Sequence, residues 1–76
     1  MNAALPWSFL QGFIQGAHER GMTDREIAGN LGEILGDPDL MPNRETVARW
    51  RRGECKAGTL NRKALQAWVA KTRSER

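Results

Sequence analysis

The sequence predicts an all-α protein, a compact bundle of four helices, or five, folded as one domain over residues 1–76 with its core within about 6–71. Three observations carry this prediction. Apolar residues recur at three- and four-residue spacing in several separate stretches. Thr23-Asp24-Arg25-Glu26 has the T-x-x-E form of a capping box, which opens a helix. No stretch alternates apolar and polar residues as a half-buried strand would.

The first helix is expected from about Pro6 to Arg20. Proline suits a first helical turn, and Leu10, Phe13, Ile14 and Ala17 fall at the i, i+3, i+4, i+7 positions of one face. Gly21 closes it. Trp7 and Phe9 flank the stripe. Gly12 and Gly16, four apart, would let another helix approach closely; packing within the fold is the favoured reading, a dimer contact or no special role the alternatives.

The second helix starts at the capping box and carries Ile27, Leu31, Ile34 and Leu35 on one stripe, so it extends past Gly32 to Leu35 with Gly36 as its stop. Asp37 to Pro42 reads as a loop, because two prolines within five residues cannot continue a regular helix and aspartates favour turns. Leu40 and Met41 are expected to tuck back onto the core.

The third helix, Asn43 to Gly53, reads N-R-E-T-V-A-R-W-R-R-G. Asn43 is its N-cap, Glu45 lies in the first turn where the dipole favours an acid, and Gly53 is the stop. Val47 and Trp50, three apart, share an inward face and leave arginines round the rim. After a connector at 54–58, Thr59 is read as the N-cap of a last helix, Leu60 to Lys71. Leu60, Ala64 and Trp68 form one line, with Leu65 and Val69 beside it. Thr72 to Arg76 is expected to fray. The predicted core is Leu10, Phe13, Ile14, Ile27, Ala28, Leu31, Val47, Trp50, Leu65 and Trp68.

The net charge of +3 hides a division: residues 1–40 carry −4 and residues 41–76 carry +7. The basic half begins with the third helix, which suggests a polyanion partner for it. The single Cys55 excludes an internal disulfide, and with no signal-peptide pattern and no run of about 18 apolar residues the expectation is a cytoplasmic protein that makes no membrane contact. His18 has no histidine or cysteine cluster around it, and Cys55 no histidine partner. No paired carboxylates, activated nucleophile or phosphate loop can be assembled, so a binding module is expected rather than an enzyme, with no metal or cofactor.

Two stretches resemble a known family. A-H-E-R-G-M-T-D-R-E-I-A-G-N-L-G, Ala17 to Gly32, is similar to the end of helix one and the second helix of the phage repressor and Cro-like helix-turn-helix proteins, and N-R-E-T-V-A-R-W-R-R-G resembles their recognition helix. The resemblance covers about residues 10–56. It implies that Ala28 is the small residue where the two motif helices cross, Gly32 the glycine of the turn, and Val47 and Trp50 the residues that seat the reading helix. The departure is in the turn: the family places the small residue and the seating valine about ten apart, whereas Ala28 and Val47 are 19 apart. Either helix two is lengthened and the 37–42 loop brings the chain back, which the stripe through Leu35 favours, or the two helices do not form the usual pair.

By that resemblance the base-reading set is Asn43, Arg44, Glu45, Ala48, Arg49 and Arg52, with the residues nearest the helix N-terminus closest to base edges. Arginine can bond guanine O6 and N7 in bidentate fashion, asparagine adenine N6 and N7, and glutamate can accept from cytosine N4. Arg25, Arg51, Lys56, Thr59, Asn61, Arg62 and Lys63 are the candidate phosphate contacts. Trp50 and Trp68 lie on apolar lines and are read as core.

The expected function is a small sequence-specific DNA-binding transcriptional regulator, a phage or prophage repressor or Cro-like protein. It would take double-stranded DNA as partner and, since one helix covers few base pairs, act as a homodimer. The alternative is an adaptor of the same fold that binds and modulates a host protein through Trp7, Phe9, Met41 and the acidic loop.

Overall fold

The computed structural model describes residues 5–74 and shows an all-α domain. The expected frayed tail therefore falls in part on residues 75–76, and most of the segment read for a leader on residues 1–4, both outside the described residues. The helices are α1, Trp7–Glu19; α2, Asp24–Leu35; α3, Arg44–Arg51; and α4, Thr59–Ser74. A single 3-10 turn, Pro38–Leu40, lies between α2 and α3.

Each helix boundary has a local cause. Pro6 stands at the N-cap of α1 with φ −66°. At α2 both halves of the capping box form: the Glu26 amide donates to Thr23 Oγ1 at 3.1 Å, and the Thr23 amide donates to Glu26 Oε1 at 3.0 Å. Gly36 ends α2 in the left-handed region, φ 72°, and its amide reaches the Gly32 carbonyl at 3.0 Å. Asp37 Oδ1 accepts from the Asp39 amide at 2.9 Å and so starts the 3-10 turn. Asn43 Oδ1 caps α3 by accepting from the Thr46 amide at 2.8 Å.

α1 and α2 each pack on the other three helices, and α2 also carries the 3-10 turn, which makes it the central element. Leu10, Ile14, Ile27, Leu31, Val47 and Leu65 are fully enclosed between the helices, each worth about 1.5–3 kcal/mol relative to exposure. Ala28 and Trp50 are also buried. Phe13 and Trp68 are half-buried and close the core edge-on to each other, centroids 5.0 Å apart. Ala17, Ala48, Ala57, Ala64 and Val69 complete the core.

Several expectations are corrected. Thr59 is the first residue of α4 rather than its cap, and the helix continues through Ser74, whose hydroxyl donates to the Ala70 and Lys71 carbonyls at 3.1 Å each. No glycine or proline interrupts residues 59–74, so nothing stops the helix at Lys71. Leu60 is 47% exposed. Each step of four residues overshoots a full turn by about 40°, and the line from Trp68 back through Ala64 therefore carries Leu60 off the buried face.

Gly12 and Gly16 meet no other helix: a methyl placed on either finds nothing within 4 Å. Gly32 is not a turn glycine. It is buried inside α2, where a Cβ would come within 3.0 Å of the Met41 Cβ and Cγ, and the turn belongs to Gly36. Leu40 and Met41 do not tuck into the core, with exposures of 43% and 47%; Pro42 is buried instead. The chain crosses α2 with the Met41 side chain lying on Gly32, so a methyl there would require Met41 to shift.

Candidate nucleic-acid interface

α3 is held from below by Val47 and Trp50, with exposures of 0% and 2%. The edge of Trp7 packs on Trp50 at 6.3 Å and 83°, so Trp7 is half-buried and is not the free docking residue expected. Phe9 stays 40% exposed, with the Arg73 guanidinium over its ring.

The outward face of α3 carries Glu45, Arg49 and Arg52, at the i, i+4, i+7 positions of a single stripe, and all three are exposed. Arg44 is exposed on the side of α3 that faces the start of α2. There an open cleft of about 400 Å³ is lined by Thr23, Asp24, Arg25, Arg44, Glu45 and Ala48. Exposed Arg25 and Arg44 thus stand on its two walls. Among the described residues neither arginine, nor Arg49, forms an ion pair.

Other members of the predicted set are placed differently. Ala48 is only 8% exposed, wedged against α2, which leaves it little surface for a base. Asn43 spends its carbonyl oxygen on the helix cap, one of the two atoms that a bidentate adenine contact needs. Arg52 pairs with Glu54 across the end of the helix; the mutual hydrogen bond raises the pKa of Arg52 and lowers that of Glu54.

Arg51 points at α2 rather than outward. Its Nε donates to Asp24 Oδ1 at 3.0 Å and its Nη2 to Asp24 Oδ2 at 3.1 Å. The two side chains are 22% and 20% exposed. Arg51 holds the Asp24 carboxyl below the ordinary carboxylate range, against the desolvation that burial brings. His18 Nδ1 lies 3.9 Å from the same carboxylate, beyond hydrogen-bond distance. No sequence rule pairs residues 27 apart; the only hint was that Asp24 stood in the first turn of a capped helix.

Around the start of α4, Lys56, Thr59 and Lys63 are exposed, as the phosphate role requires. Arg62 is not free: its Nε donates to the Ala57 carbonyl at 3.1 Å and its guanidinium lies 5.7 Å from the Trp7 ring centroid. Asn61 is half-buried, and its Oδ1 is covered and accepts no hydrogen bond from the protein. Both therefore belong to the packing of α4 on α1 and the connector.

Of the predicted base and phosphate contacts, the cations left available to a polyanion are thus Arg25, Arg44, Arg49, Lys56 and Lys63. Among the described residues no helix is long and apolar enough to cross a membrane. Compared with known proteins, the chain matches no family model, no curated protein and no solved structure.

Proposed function

We propose that this chain is a small sequence-specific DNA-binding regulator of transcription, of the phage repressor and Cro-like helix-turn-helix kind, which lays α3 in the major groove. The observation that carries the reading is the outward pair Glu45 and Arg49, with exposed Arg44 beside them, on a helix whose opposite side is seated by Val47 and Trp50. Arg49 and Arg44 are the base readers, Glu45 orients them or accepts from cytosine, and Arg25, Lys56 and Lys63 grip phosphates. The lengthened α2 and the 3-10 turn account for the wide spacing between Ala28 and Val47. An eight-residue reading helix spans about 12 Å, a few base pairs, so useful specificity calls for more than one copy on the DNA.

The test is a gel shift against pooled random duplex at low salt, followed by selection of bound sequences. A recovered consensus supports the reading. No shift at micromolar protein would abandon it for the second one, a protein-binding adaptor, which the exposure of Leu40 and Met41 beside Asp37 and Asp39 favours.

A further inference from the structure

Charge along this chain is sorted by sign and by place. From residue 26 to 43 there are four carboxylates, Glu26, Glu33, Asp37 and Asp39, and no lysine or arginine. From residue 55 to 74 there are five cations, Lys56, Arg62, Lys63, Lys71 and Arg73, and no carboxylate. Each tract also exposes apolar surface. In the first, Leu40 at the end of the 3-10 turn and Met41 after it are both about half-exposed, Met41 with its inner edge on Gly32, and Asp37 and Asp39 are exposed beside them. In the second, Leu60, Lys63 and Ala67 follow one another along the outer face of α4, all exposed.

The two patches lie apart on the fold. Glu33 and Ile34, near the end of α2, line a groove with Trp68, Lys71 and Thr72 of α4, whereas the 3-10 turn that follows packs on α2 and not on α4. Leu60 stands eleven residues before Lys71, about 16 Å along the helix. The acidic knuckle therefore does not cover the Leu60 face of its own chain. Among the described residues no ion pair joins the two tracts.

We propose that the Leu40–Met41 knuckle of one copy docks on the Leu60–Lys63–Ala67 face of the next, so that copies associate head to tail. Like charge disfavours the alternatives. Knuckle on knuckle would set Asp37 and Asp39 against themselves, and α4 on α4 would do the same with Lys63. Of the contacts these two patches can make between copies, only acid against base has complementary sign, and because it joins different surfaces it repeats instead of closing at two. Each contact is small and rimmed by charge, so it is weak and sensitive to salt. The proposal needs no DNA, and because Lys63 is also a proposed phosphate contact, DNA and the next copy compete for that side chain.

Sedimentation velocity of the full chain without DNA tests it. At low salt the average size should climb past two chains as protein approaches about 1 mM, and fall to single chains at about 0.5 M salt, where screening acts within a few ångströms. Asp39→Lys with Leu40→Lys, and separately Lys63→Glu with Ala67→Glu, should each abolish association while circular dichroism stays unchanged, since all four side chains are exposed. Mixed in equal amounts, the two variants should associate again, because each then meets a patch of opposite sign. Wild-type protein that remains single, association that stops at two chains, or a mixture that stays dissociated would each overturn the proposal.

Discussion

Asp24 and Arg51 form a two-point ion pair, at 3.0 and 3.1 Å, that ties the last turn of α3 to the first turn of α2. Its geometry is the planar fork-to-carboxylate match that only arginine provides. Because the pair is about one-fifth exposed, solvent screens part of it, and Asp24→Asn is expected to cost about 1–2 kcal/mol at neutral pH. The folded carboxyl titrates below its unfolded value near 3.9. Its contribution is therefore complete above that value and fades as the pH falls through the lowered one. Urea melts of wild type and Asp24→Asn should differ above about pH 5 and converge in acid. A gap unchanged with pH would show that the charge on Asp24 contributes nothing.

The same pair decides how Arg51 should behave beside Arg49, two residues away on the same helix. Arg49 is exposed and free of ion pairs among the described residues; Arg51 is not. Arg49→Ala should weaken a selected site by about 1–3 kcal/mol and random duplex much less. Arg51→Ala should lower stability and affect both duplexes alike. Titrations with labelled duplex separate the two, and equal weakening by Arg49→Ala would make it a phosphate contact.

Salt dependence should report the smaller set of phosphate cations. With Arg51 and Arg62 engaged internally, Arg25, Lys56 and Lys63 remain, and a slope of log affinity against log salt near −3 per chain follows, rather than about −4.5 for all five cations of the predicted phosphate set. Arg62→Ala should leave that slope unchanged and cost about 1 kcal/mol of stability, through lost packing on Trp7 and the lost bond to Ala57.

Local rules made much of this molecule readable. The capping box, the Asn43 cap and the Gly36 stop depend on residues within four of one another, and each is where its chemistry predicts. The inward pair Val47 and Trp50 follows from helical period alone. What stayed hidden is long-range or depends on rotation about an axis. Nothing near Arg51 or Arg62 in the chain announces that Asp24 or Trp7 will claim it. Leu60 has the spacing of a core residue but not the angle. Glycine was the least legible type: by sequence Gly12 and Gly16 read as the close approach and Gly32 as a turn, yet of the three only Gly32 lies under another segment.

That difference among glycines is measurable. A methyl at Gly12 or Gly16 would meet nothing within 4 Å, so Gly12→Ala and Gly16→Ala remove backbone entropy from the unfolded chain without a clash. Each should stabilise by about 0.5–1 kcal/mol. At Gly32 the same helical gain is opposed by contact at 3.0 Å with Met41 Cβ, which is fixed to the backbone and cannot swing aside as a side-chain tip could. Pro42, buried immediately after it, limits how far that segment can lift. Gly32→Ala is therefore expected to be neutral to destabilising, and to shift the amide resonances of residues 39–43 while Gly12→Ala leaves them in place. Thermal melts with heteronuclear spectra of the three variants check this; a Gly32→Ala protein stabilised as much as Gly12→Ala would show that the loop is not held against α2.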